Sequence, residues 1–175
     1  MRRRTRPEEA TALADFDQFF RLEYPRLVPM LHGVLGDRGR AEDIAQEALA
    51  AAQRDWPKVV GFDQPGAWVR RVALNQASNV RRRRGREVVA LRRVGPGHTT
   101  SSGGDEPTDE RLWQLVRDLP HQQRCCVALH YVEDRSVAEI AAILTCSEGT
   151  VKTHLSRARA ALTRALGTSR EEATS

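Results

Sequence analysis

Trp68, Arg71, Asn75, Asn79, Arg82 and Arg86 follow one another at intervals of three and four residues, the spacing that gathers side chains on one helix face. Their chemistry suits nucleic acid. Arginine forks pair with phosphate oxygens, and asparagine can read a base edge in a duplex or on an extruded base. Trp68 and, six residues earlier, Phe62 offer surfaces on which unpaired bases stack, though either ring would equally serve a core. From Arg70 to Arg93 there are nine arginines against one acid, Glu87. Such a cluster repels itself unless a polyanion lies against it, although the run Arg81–Arg84 also reads as a solvated helix end.

A second set lies between Ser136 and Leu166. Ile140, Ala141 and Leu144 form the apolar side of a short helix, and Thr145, Cys146 and Ser147 make a tight connection. Val151, Leu155, Ala158, Leu162 and Leu166 then give the apolar stripe of a longer helix, whose other face carries Lys152, Thr153, Ser156, Arg157 and Arg164. This is the pattern of a helix-turn-helix: one side packs on preceding helices while the exposed N-terminal half presents donors to bases and phosphates. A plain helical hairpin kept soluble by its charges has the same pattern.

A third set has the opposite sign. Asp43, Gln46 and Glu47 lie together, away from the apolar stripe Ala41, Ile44, Ala45, Ala48, Leu49, Ala52 and Trp56. Between Asp37 and Asp63 there are six acids and four bases. An acidic face does not bind DNA, so it is either a site for a protein partner or simply solvated. Cys125, Cys126 and His130 have zinc-compatible chemistry, but a closed zinc site wants about four ligands and no further Cys/His cluster is near. Asp43 with Glu47 as a catalytic pair lacks an accompanying nucleophile or base. No catalytic residue, metal or cofactor is therefore expected.

The elements that must position these sets are all helical. Asp15 is expected to cap a first helix carrying Phe16, Phe19, Phe20, Leu27, Leu31 and Leu35, broken or kinked at Pro25 and Pro29, with Gly33, Gly36 and Gly39 marking a turn. A second helix is expected over Arg40–Trp56, stopped by Pro57. A third opens at Pro65 and runs to about Arg84 on the buried stripe Val69, Val72, Ala73, Gln76 and Val80. Gly, Pro, Ser and Thr then dominate from Val94 to Pro107, the composition of a flexible linker. Beyond it come helices over Glu110–Leu119 and Gln122–Val132, a capping box at Ser136–Glu139, and a last helix from Glu148 to Leu166 stopped by Gly167. The fold class is all-α: two small helical domains joined by a linker.

Bulk properties agree with a nucleic-acid partner. The 175 residues carry a net charge of +5, with 40% apolar residues. No apolar run is long enough for a membrane span or follows the N-terminal arginines as a signal peptide would, so a cytoplasmic location without membrane insertion is expected. Three cysteines, two of them adjacent, read as reduced thiols.

Taken in order, these sets resemble the extracytoplasmic-function (ECF) sigma factors of the sigma-70 class, nearest in flavour to the actinobacterial SigE-like group. Ala41-Glu42-Asp43-Ile44-Ala45-Gln46-Glu47-Ala48-Leu49 is similar to the region 2 helix that grips the polymerase clamp. Ala67-Trp68-Val69-Arg70-Arg71-Val72-Ala73-Leu74-Asn75, running into the arginine tract, resembles the helix that melts and reads the −10 element. Leu119-Pro120-His121-Gln122-Gln123-Arg124, Glu139-Ile140-Ala141 and Ser147 to Arg159 resemble region 4. Ala48-Leu49 stands where Thr-Phe is common, and His154 where Arg or Ser is common.

The resemblance implies region 2 at 13–91, a linker at 92–108 and region 4 at 109–167. It implies that Asp43, Gln46 and Glu47 meet RNA polymerase core, and that Phe62, Asp63, Trp68, Arg71, Asn75, Asn79, Arg82 and Arg83 meet the −10 element. Thr150, Lys152, Thr153, Ser156 and Arg157 would then meet the −35 element, and an anti-sigma factor would be a further partner. The expected function is promoter-specific transcription initiation. A helix-turn-helix regulator with an N-terminal sensing or dimerisation domain is the alternative.

Overall fold

The computed structural model describes the backbone of residues 6–91 and 107–172 and the side chains of residues 15–79 and 111–167. Among these residues there are eight helices and no strand. None of the helices is long and apolar enough to cross a membrane. The expected linker lies outside the described residues up to residue 106.

Helix α1, Arg6–Leu35, passes through Asp15, Pro25 and Pro29 without interruption, so neither the cap at Asp15 nor a break at the prolines is present. Each proline removes a backbone bond to the carbonyl four residues earlier, at Arg21 and at Pro25. Arg21, Pro25 and Pro29 are all exposed, so water can reach the carbonyls this leaves without a backbone donor. On the opposite side Leu27, Val28, Met30, Leu31 and Val34 are buried, and this burial offsets the local cost. The helix stops at Gly36, whose φ of +73° suits a residue without a side chain.

Helix α2, Arg38–Arg54, starts two residues before the expected point because Asp37 accepts a hydrogen bond from the Arg40 N–H at 3.1 Å. Its buried stripe is Ala41, Ile44, Ala45, Ala48, Leu49 and Ala52, the expected one without Trp56, because α2 ends at Arg54. Pro57 is not its stop but sits in the first turn of the next helix, where a proline needs no N–H. The alanines let α2 pack closely on α1. One turn, α3 (Trp56–Val59), places Trp56 between Phe16 and Phe19, at ring-centroid distances of 5.3 and 4.9 Å. Helix α4, Pro65–Leu91, extends past the expected Arg84. It buries Val69, Ala73, Leu74 and Ala77, while Val72 and Gln76 are only half-buried and the Val80 side chain lies outside the described residues.

Helices α5 (Pro107–Asp118), α6 (His121–Tyr131), α7 (Val137–Leu144) and α8 (Glu148–Glu172) follow. Gly167 does not stop α8; the helix runs on to Glu172. The glycine lies in open space, where an interior glycine costs only about 1 kcal/mol relative to alanine.

The two groups of helices do not stand apart. The described buried apolar side chains form one continuous cluster, in which α1 touches α5 and α6 and α4 touches α7. Trp113 of α5 lies over Gly33, where an added Cβ would come within 2.8 Å of its ring. Arg124, 4% exposed, donates from Nη1 to the Val34 carbonyl at 3.1 Å and the Arg117 carbonyl at 3.0 Å. One buried cation thus serves the C-terminal ends of both α1 and α5, where the helix dipoles favour positive charge.

Candidate nucleic-acid and protein interfaces

The first basic face is built by the turn that leads into α4. Phe62 N–H donates to Val59 O at 3.1 Å, and Ala67 and Trp68 N–H groups both donate to Gln64 O, so the chain from Val59 to Trp68 folds back on itself. This brings the Phe62 and Trp68 rings to a centroid distance of 6.3 Å, tilted by 46°. Both rings are half-buried and packed against the core, while Asp63 beside them is exposed. Trp68, Arg71, Asn75 and Asn79 then share one face of α4, with both asparagines exposed. The side chains of Arg82 and Arg83 lie outside the described residues. Arg71 is already engaged: its Nη1 donates to Thr145 Oγ1, at the helix-turn-helix connection, at 3.0 Å.

The second basic face depends on local polar bonds. Ser136 and Glu139 form the expected capping box. Ser136 Oγ accepts from the Glu139 N–H at 3.3 Å, and Glu139 Oε2 accepts from the Ser136 N–H at 2.9 Å and from its hydroxyl at 2.8 Å. These donors, the backbone N–H first, then the hydroxyl and Arg135, lower the Glu139 pKa from 4.5 to about 2. Thr145 ends α7 with φ of 56°, and the chain re-enters α8 with Ser147 Oγ accepting from Thr150 N–H at 3.1 Å. Thr150, Lys152, Thr153, Ser156 and Arg157 are all exposed on α8, opposite buried Val151, Leu155 and Ala158.

Two of these five have prior commitments, since the Thr150 hydroxyl bonds Ser147 Oγ at 2.9 Å and the Thr153 hydroxyl donates to Gly149 O at 2.8 Å. Lys152 makes only a loose pair with Glu148, 3.8 Å apart and well exposed. His154 differs from its neighbours: it is half-buried with Nδ1 turned inward, away from this face.

Asp43, Gln46 and Glu47 are exposed on α2, opposite the buried stripe. Glu42 is not part of this patch's free charge, because it pairs with Arg38 at 3.0 Å. Ala48 and Leu49 are completely buried, so the residues that differ from the common Thr-Phe belong to the core.

Cys125 and Cys126 are buried on α6. Burial pushes both Cys125 and Cys126 up to about 12, and His130 donates from Nδ1 to the Arg135 carbonyl at 3.0 Å. Among the described residues there is no group of three or more His, Cys, Asp or Glu able to hold a metal ion.

Sequence reasoning missed the residues that join the two faces. Arg70 is 1% exposed; its Nη1 lies 2.6 Å from Glu23 Oε2 and donates to Gly66 O at 2.9 Å, and its Nε donates to Glu133 Oε2. The same Glu133 oxygen accepts from Arg135 Nε at 3.2 Å, and Arg135 Nη1 donates to Glu139 at 2.9 Å. A local signal existed: Arg70 lies on the apolar arc of Ala73, Leu74 and Ala77, where a cation needs a partner.

Two family models match the chain, Sigma-70 region 2 over residues 19–87 and Sigma-70, region 4 over residues 109–162. The RNA polymerase sigma-E factor of Streptomyces antibioticus is 30% identical over 154 residues, covering 88% of this chain and 86% of that protein. The ECF RNA polymerase sigma factor SigM of Mycobacterium tuberculosis is 28% identical over 153 residues, covering 87% and 77%. Among solved structures, the sigma factor RpoE in complex with the anti-sigma factor NepR from Bartonella quintana matches with a TM-score of 0.66 and 29% identity, over 87% of this chain and 97% of that one. CnrH, solved in complex with the cytosolic domain of CnrY, shares the fold at a TM-score of 0.65 and 22% identity, over 91% and 94%.

Proposed function

The chain belongs to the extracytoplasmic-function sigma factors of the sigma-70 class, and on that premise we propose how its residues divide the work of promoter-specific initiation. As a sigma factor it binds RNA polymerase core and promoter DNA. The division proposed is region 2 at 13–91, a linker at 92–108 and region 4 at 109–167.

The observation that carries the assignment is that three polar faces, of different charge and on different helices, each lie opposite a buried stripe. On α2 the exposed Asp43, Gln46 and Glu47 meet the polymerase, since an acidic face repels DNA and suits a protein partner. On α4, Trp68 and Phe62 stack an extruded −10 base beside Asp63, while Asn75 and Asn79, two and three turns further along the helix, meet neighbouring nucleotides. Base extrusion costs a few kcal/mol, which stacking at about 1–3 kcal/mol per base offsets. Arg71, Arg82 and Arg83 take phosphates. On α8, Lys152 and Arg157 take phosphates or guanine edges of the −35 element, while Thr150, Thr153 and Ser156 bond base edges from the major groove.

Each module alone binds weakly, and tethering both on one polymerase makes their contacts additive. The chain supplies recognition and no catalytic group; bond formation is the polymerase's. We assign it to the cytoplasm, where core polymerase is, and an anti-sigma factor to its regulation. The regulator reading, with a sensing or dimerisation domain at the N-terminus, leaves the region 2 match without a role.

Transcription from a randomised promoter library by core polymerase reconstituted with this chain tests the proposal. Selected templates should share two fixed elements. Asn75→Ala should relax the downstream one alone, and Arg157→Ala the upstream one alone. Loss of both elements from either single substitution contradicts the division.

A further inference from the structure

The polar face of α8 has a centre, and helix geometry picks out the residue that holds it. Val151, Leu155 and Ala158 are buried. At roughly 100° per residue, Thr153 points almost directly away from the mean direction of these three, with Ser156 and Arg157 about 50° to either side and Lys152 at the margin. Thr153 is exposed, in the second turn of α8, within the N-terminal half that a helix-turn-helix presents to base edges. The residue one turn earlier is Gly149, so no side chain stands over Thr153 from that turn.

The hydrogen-bonding direction of Thr153 is also settled. Its hydroxyl donates to the Gly149 carbonyl at 2.8 Å, and a carbonyl only accepts, so the single hydroxyl proton is committed. What this side chain offers a partner is an oxygen with lone pairs and a methyl group. Its neighbours differ. Lys152 and Arg157 have donors and no acceptor, Ser156 has both, and the Thr150–Ser147 hydroxyl pair at 2.9 Å works in either direction.

An acceptor beside a methyl group matches one kind of base pair. In the major groove adenine offers its N6 amino group as a donor, and thymine on the other strand offers its C5-methyl group. A G·C pair has a donor at cytosine N4 but no methyl group, and guanine O6 and N7 are acceptors that repel another acceptor.

We propose that Thr153 specifies an A·T pair within the −35 element, accepting from adenine N6 through Oγ1 and packing its methyl group on the thymine methyl. This rests on the reading of α8 as the −35 helix. It adds to that reading the base pair at the centre of the face and the two atoms that select it.

The full chain reconstituted with core polymerase tests this on promoter templates, first with a randomised upstream element and then with single base analogues. The wild-type library should fix an A·T pair at one upstream position, and Thr153→Val or Thr153→Ser should relax that position alone. At that pair, deoxyuridine in place of thymidine deletes the methyl group, and an unsubstituted purine in place of adenine deletes the N6 amino group. Each analogue should lower wild-type initiation about three- to tenfold.

Thr153→Val keeps the methyl group and loses the acceptor, so it should be sensitive to deoxyuridine and indifferent to purine. Thr153→Ser should show the reverse. A helix merely weakened by substitution would not sort the two analogues in this way. Wild-type indifference to both analogues, equal penalties in all three chains, or a G·C pair at the position that Thr153 governs overturns the proposal. A library that fixes no upstream element overturns the −35 reading of α8 together with it.

Discussion

α4 and α8 present the polar faces proposed to read DNA by different means. α4 has no acidic residue in its first turn, and its orientation comes from burial of Val69, Ala73, Leu74 and Ala77 in the bundle with α1 and α2, with Phe62 folded onto Trp68. α8 also buries a stripe, but small polar bonds set the turns around it: Ser147 to Thr150 at its own entry, and Ser136 to Glu139 and Glu139 to Arg135 at the entry of α7. The difference teaches that one fold can aim two helices with two kinds of force. Apolar burial tolerates changes of pH and salt, whereas a capped and ion-paired turn is more directional and more exposed to both.

The contrast is most easily broken in the first module. Leu49 is completely buried at the α1–α2 contact, and Leu49→Ala should cost about 2–5 kcal/mol in urea unfolding and weaken binding to core polymerase. A loss below about 1 kcal/mol would mean that burial is not what holds this module.

Ser136→Ala probes the second module and should cost about 1 kcal/mol. It also removes the hydroxyl bond that helps to depress Glu139. A carboxylate with a lowered pKa contributes stability that is complete above its unfolded value and lost as pH falls through the folded one. For Glu139 that window runs from 4.5 down to about 2. Stability of the wild-type chain should therefore decline across this window more steeply than that of Ser136→Ala, as read by thermal melts at stepped pH.

The smallest effect has the opposite sign. Gly167→Ala adds a methyl group where nothing lies within 4 Å, and it should raise helicity and stabilise by no more than about 1 kcal/mol.

How far the sequence could be read depended on whether the deciding force was local. The capping box at Ser136, the stripe of α2 and the polar face of α8 are set by neighbours three or four residues apart, and all three occur as expected. The passage of α1 through Pro25 and Pro29 was not legible, because tertiary burial of Leu27, Met30 and Leu31 outweighs local propensity. Gly167 misled for the complementary reason: a glycine stops a helix only when the chain has somewhere else to go.

Among site residues, the exposure of Asp43, Gln46, Glu47, Asn75, Asn79, Lys152 and Arg157 followed from periodicity. The partnership of Arg70 with Glu133 spans 63 residues and leaves no periodic trace, and neither does Arg124 seated on the ends of two helices.

The account depends most on the separation of an enzyme-binding acidic face from two DNA-reading basic ones. Equilibrium binding of fluorescently labelled chain to purified core polymerase, without DNA, tests it directly. Asp43→Arg with Glu47→Arg should reduce affinity by about a hundredfold or more while leaving the helical spectrum intact, since both side chains are exposed. Lys152→Ala with Arg157→Ala should leave core affinity unchanged. Equal affinities for the two double variants, or no binding by the wild-type chain, would contradict the account.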